Sequence, residues 1–250
     1  MLLPTRALLL SLLFALSFTA SAQTNAKQQL AEAAADRIVK RFHEALDFGV
    51  VYNELYVSKP SLRKAEVQII MENMIRQGDR FSPEGEQAVA RSRNIDFSSM
   101  ERAYVALSNF HWLSDASVMT HPKDDKQFEK AFKDAYAKYL DPMNDEKQWP
   151  IVTNSQLDEK MTARFDGIAT FFRQSIDKTK FDTPEFKRRE ATIEESRPPD
   201  SVELFKALFE PFGLKPTDNL YLVRRGRFYF YLLEESGEFR MLTWTERIRW

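Results

Sequence analysis

The chemistry in this chain has to be sought first among its three histidines, His43, His111 and His121, because a chain of 250 residues without cysteine has no thiol to offer. His43-Glu44-Ala45-Leu46-Asp47 has the spacing of the HExxH zinc helix, with aspartate in place of the second histidine. On a continuous helix, residues four apart share a face. His43 and Asp47 would then be two metal ligands, Glu44 the catalytic base, and His111 or His121 the third ligand. That set would make a metal-dependent hydrolase with zinc as its cofactor, and no other cofactor is expected. The plainer reading of His43 is a residue at the margin of an apolar helix stripe, directly beside Phe42. His111, within Phe110-His111-Trp112-Leu113, reads as a hydrogen-bonded core histidine, and His121, before Pro122, as a loop residue.

A second cluster is Arg224-Arg225-Gly226-Arg227, followed by Phe228-Tyr229-Phe230. Arginine, glycine and strand aromatics also occur in a common RNA-binding pattern, but here Arg227 stands where an aromatic ring should stack. No nucleic acid is expected. Arg224, Arg225 and Arg227 are instead candidates for binding an anionic ligand or a partner's acidic patch.

Other chemistry is excluded by spacing. The glycines fall at 49, 78, 85, 167, 213, 226 and 237. None of these spacings permits a GxGxxG dinucleotide loop, a GxxxxGK phosphate loop or a GxSxG nucleophile elbow. No Glu-x-x-His occurs, which argues against a ferritin-like di-iron bundle. Neighbouring acids such as Asp124-Asp125 and Glu234-Glu235 diverge on any regular element and define no acid–base pair. The formal net charge is −1, so no polyanion or anionic membrane is implied.

The elements that must position these residues are mostly helices. Residues 1–22 have the three parts of a secretory leader: Arg6, the apolar run Ala7 to Phe18, and Ala20-Ser21-Ala22 before Gln23. The apolar run is short for a membrane span, and no span is expected after it. Amphipathic patterns follow over Gln28 to Phe48 (Leu30, Ala34, Ile38, Phe42, Leu46), Ser61 to Ile75, Asp124 to Leu140 and Ser155 to Ile176. A short helix is expected from Ser82. Ser98-Ser99-Met100-Glu101 and Asp200-Ser201-Val202-Glu203 read as capping boxes, and Thr183-Pro184-Glu185 as another helix start. Leu220 to Arg224, Arg227 to Leu233 and Glu238 to Trp244 then read as a three-strand meander. Its middle strand carries Phe228, Phe230 and Leu232 on one face and Tyr229, Tyr231 and Leu233 on the other, both apolar.

The expected fold is α+β and predominantly helical: about seven amphipathic helices, then a C-terminal three-stranded antiparallel meander packed on them. After the leader, residues 23–250 are expected to form one helix-rich domain, with a helical body over about 26–213 and the meander over about 218–246. The stretch Glu194 to Asp200 would be the boundary if there were two domains. The function expected is that of an exported protein, periplasmic or extracellular, that binds a partner protein or an apolar ligand without catalysis. The hydrolase centred on His43, Glu44 and Asp47 is the alternative. Mass spectrometry of the exported protein should find an N-terminus at Gln23; a retained Met1 would overturn the leader reading.

Overall fold

The computed structural model describes residues 26–79, 96–122, 124–140, 155–190, 196–197, 210, 213 and 220–246. Among them are seven α-helices: α1 (26–45), α2 (Phe48–Leu55), α3 (Pro60–Asp79), α4 (Phe97–Thr120), α5 (Lys126–Tyr139), α6 (Ser155–Ser175) and α7 (Pro184–Glu190). A 3-10 helix, Lys178–Asp182, joins α6 to α7. The strands are β1 (Ser196–Arg197), β2 (Leu220–Arg225), β3 (Phe228–Glu235) and β4 (Glu238–Glu246), all antiparallel in the order β1-β2-β3-β4. The fold is therefore the expected α+β arrangement, helices first and an antiparallel sheet last. The leader expected at residues 1–22, the short helix expected from Ser82 and the capping box expected at Asp200-Ser201-Val202-Glu203 lie outside the described residues. No described helix is long and apolar enough to cross a membrane.

Three local readings are corrected. Gln28 to Phe48 is not one helix. It stops at Ala45, Leu46 takes a left-handed φ of 51°, and α2 begins at Phe48. A left-handed leucine is strained, and local contacts hold it there. Asp47 caps α2, its carboxylate accepting from Gly49 N at 2.8 Å and from the Asn109 amide at 3.2 Å. Asn109 Oδ1 in turn accepts from Phe48 N at 2.7 Å, and Arg173 donates to the Leu46 carbonyl at 2.9 Å. Leu30 is 54% exposed rather than part of the buried stripe, which runs through Ala31, Ala34, Ala35, Ile38 and Phe42. A strict four-residue repeat drifts by about 40° per step around a helix with 3.6 residues per turn, which carries Leu30 off the buried face. Finally, α4 starts one residue after Asp96, to whose carboxylate Ser98 donates, so Ser98 is not the cap.

The sheet follows the two-faced pattern. Phe228, Phe230 and Leu232 enter the main core with Tyr221, Phe239 and Met241. Tyr231 and Leu233 enter a second cluster with Leu220, Leu222 and Leu242, against Val57 and Leu62. An irregularity after Tyr231 leaves Leu242 without a cross-strand partner, which re-phases β4 as a bulge does. The added strand, β1, pairs Ser196 with Val223 and Arg197 with Leu222, within the stretch Glu194 to Asp200.

One buried acid ties α3 to the body. Glu66 is 1% exposed. Its Oε1 accepts from Tyr104 at 2.7 Å, while Tyr104 and Tyr56 share a hydroxyl–hydroxyl bond of 2.6 Å. Burial pushes Glu66 up to about 8, against the opposing pull of hydrogen bonds from Tyr104, Thr243 and Tyr56. The folded protein thus holds a proton on Glu66 that the unfolded chain, at the ordinary 4.5, releases. The contribution is complete below 4.5 and is lost as pH rises through 8, at about 1.4 kcal/mol per pH unit between them. Chemical denaturation should show this decline in the wild type and a flatter profile in Glu66→Gln. Equal slopes in the two proteins would overturn the assignment.

Candidate functional site

The face of α1 next to its buried stripe carries Asp36, Val39, Lys40 and His43, at i, i+3, i+4 and i+7. Opposite it stands the turn from α6 into α7, whose local sequence fixes two phenylalanines. Asp177 caps the 3-10 helix, accepting from Thr179 N at 3.0 Å and from its hydroxyl at 2.7 Å. Thr183 Oγ1 accepts from Phe186 N at 3.3 Å and starts α7. Phe181 and Phe186 are thereby set against His43. The imidazole stacks on Phe181, with ring centres 4.2 Å apart and planes 15° apart, and meets Phe186 edge-on at 5.4 Å. Burial pushes His43 down to about 4, so its ring is neutral at neutral pH.

Between these walls lies a cavity of about 670 Å³, within the usual range for small-molecule sites. Val39, His43 and Phe181 give it an aromatic and apolar side, and the rest of its lining is charged: Lys40, Lys178, Lys187 and Arg225 with Asp36, Glu44 and Asp182. Behind it is a chamber of about 20 Å³ that shares Val39, His43 and Arg225 with the outer cavity and is closed by Trp112, Met119 and Phe228. That volume suits one water-sized group. Trp112 is 2% exposed and its Nε1 has no hydrogen-bond partner, so the chamber has a buried donor in its wall.

The residues expected to do chemistry are dispersed. His43 lines both cavities. Glu44 lines the outer one, is half exposed, and lies 3.6 Å from Arg41. Asp47 is past the end of α1 and engaged as the α2 cap, so the shared face that the zinc-helix reading needs is interrupted. His111 packs edge-on to Phe110 and Trp244. His121 caps the end of α4, its Nδ1 2.7 Å from the Ser117 carbonyl, and stacks on Phe128. Neither of these two lines the His43 cavity. Among the described residues no three histidine, aspartate or glutamate side chains are grouped to hold a metal ion.

The arginines are also separated. Arg224 donates to the Gly226 carbonyl at 3.2 Å and lies over the Tyr229 ring. Arg227 pairs with buried Asp115 at 3.1 Å. Arg225 reaches α1, pairing with Asp36 at 2.5 Å and donating to the Glu32 carbonyl at 3.2 Å, and it alone of the three lines the outer cavity. Sequence reasoning missed Asp36, Val39, Lys40, Lys178 and Phe181. The first three carry a helical-face signal, whereas Lys178 and Phe181 come from a turn that no periodicity marks.

Comparison with known proteins gives no match to a family model, to a curated protein or to a solved structure.

Because His43 is neutral in the fold and protonates near 6.5 when unfolded, the stability it contributes is present above 6.5 and is lost as pH falls through 4. In an NMR titration the His43 ring protons should show a midpoint near 4. In Phe181→Ala, which opens the ring to water, that midpoint should rise by about one pH unit or more. A wild-type midpoint at the ordinary value would show that the ring is not shielded.

Proposed function

We propose that the chain is an exported, non-enzymatic binding protein whose site is the cavity between α1 and the 3-10 helix–α7 segment. The observation that carries this reading is the cavity itself: about 670 Å³, with a neutral imidazole stacked on a phenylalanine in its wall. Small-molecule sites combine apolar and aromatic surface with placed polar groups; here Val39, His43 and Phe181 supply the first and seven charged side chains surround them. Export rests on the leader pattern at residues 1–22.

The mode of binding follows from the parts. A ligand body would lie against Val39 and Phe181 and exclude water from them. His43, uncharged at neutral pH with one N–H donor and one nitrogen acceptor, would serve as a hydrogen-bonding group and a flat surface rather than as a charge. The hydrolase alternative is less well supported, because Asp47 is held as a helix cap away from the His43 face.

Val39 borders both cavities, so Val39→Trp would fill the site from the α1 side. Ligand-observed NMR with a mixed collection of small molecules should find binders to the wild type whose saturation signal is lost in Val39→Trp, while both proteins keep the same unfolding midpoint within a few degrees. Absence of binders, or binders indifferent to Val39→Trp, would overturn the reading.

A further inference from the structure

Seven charged side chains line the outer cavity, and most are already neutralised within the protein. Arg225 pairs with Asp36 at 2.5 Å and Lys187 with Asp182 at 3.3 Å. Glu44 lies 3.6 Å from Arg41, but that guanidinium is engaged by Glu54 at 2.7 Å, so Glu44 remains an acidic group at the rim of the cavity. The lining sums to one net positive charge, and its two cations without a carboxylate partner among the described residues are Lys40 and Lys178. Lys178 donates to the backbone carbonyl of Glu44 at 3.0 Å, a contact that places its ammonium without cancelling its charge. Lys40 has no carboxylate within ion-pair distance among the described residues. It stands one helical turn before Glu44, whose carbonyl accepts from Lys178, so both lysines line the cavity near the same turn of α1.

An open pocket with two ammonium groups outside these ion pairs, above an aromatic wall, is complementary to one class of molecule. We infer that the ligand is an organic anion, with a flat or apolar body against Val39, His43 and Phe181 and a carboxylate or phosphate group held between Lys40 and Lys178. The inference rests on the reading of this cavity as a binding site and adds the sign of the ligand's charge. A cation would meet two like charges, and a neutral ligand would leave both ammonium groups facing an apolar body with their water removed. The anion satisfies them by charge-assisted hydrogen bonds, the stronger class. Arg225 supports the site from behind: its guanidinium is held by Asp36 and by the Arg224 and Glu32 carbonyls, so it adds a fixed wall rather than a mobile charge.

The test uses two fluorescent probes with the same aromatic body on the full chain: anilinonaphthalene sulfonate, which is anionic, and phenylnaphthylamine, which is neutral. The anionic probe should bind about tenfold more tightly, as expected for one or two charge-assisted contacts. In Lys40→Gln/Lys178→Gln that advantage should disappear, with the neutral probe unchanged. Displacement by benzoate and by phenyl phosphate then distinguishes a carboxylate ligand from a phosphate one. If the two probes bind wild type equally, or the advantage survives the double substitution, the charge inference falls while the cavity stands as a site. If neither probe binds, or both bind Val39→Trp as well as wild type, the site itself is lost and the inference with it.

Discussion

The packing around Trp112 is the contact on which the rest of the molecule depends. Its ring meets Phe42 of α1 at 5.0 Å, Phe48 of α2 at 5.2 Å, Phe228 of β3 at 4.9 Å and Trp244 of β4 at 5.8 Å. Three of these contacts are edge-to-face, the geometry that ring quadrupoles favour. One side chain of α4 thus joins the helical body to the sheet. It also closes the small chamber behind His43, so the back wall of the candidate site is the centre of the core. A truncated ring there would leave a void in a close-packed interior and remove the surface against which α1 is seated.

Much of this was legible from residues in order. The stripes over 124–140 and 155–176 became α5 and α6, as a 3.6-residue apolar period predicts. That face is buried in α6 through Phe165, Ile168 and Phe172 and only partly covered in α5, where Ala135 is buried and Tyr136 exposed. The alternation at Phe228 to Leu233 foretold a strand covered on both sides. What failed did so for local reasons. The five-residue match at His43 to Asp47 presumed a continuous helix, and the amide of Asn109, sixty-one residues from Phe48, decides otherwise by holding the chain in a break. No short-range pattern contains that contact. The site was only half legible for the same reason. One wall is a helix face, visible as a spacing, and the other is a turn whose position against α1 depends on how α6 packs.

The polar interior shows the same division between what is local and what is not. Glu66, Tyr56 and Tyr104 come from three separate segments and make a single hydrogen-bonded group. A carboxyl so deeply buried is tolerable only in its neutral form. Its placement on α3, whose neighbours Leu62 and Val67 are buried, gives that helix a specific seat instead of a merely greasy one.

The ion pairs and hydrogen bonds of α1 with the strands carry a consequence for the order of assembly. Lys27 pairs with Glu234, Asp36 with Arg225, and Arg37 donates to the Phe239 carbonyl, contacts spanning 207, 189 and 202 residues of sequence. α1 is therefore synthesised about two hundred residues before the strands that complete it. At the usual pace of synthesis, roughly 10–40 s separate the two. During that interval the growing chain lacks the partners that close it, and the final step is a closure of very long loops, the slow kind of folding event.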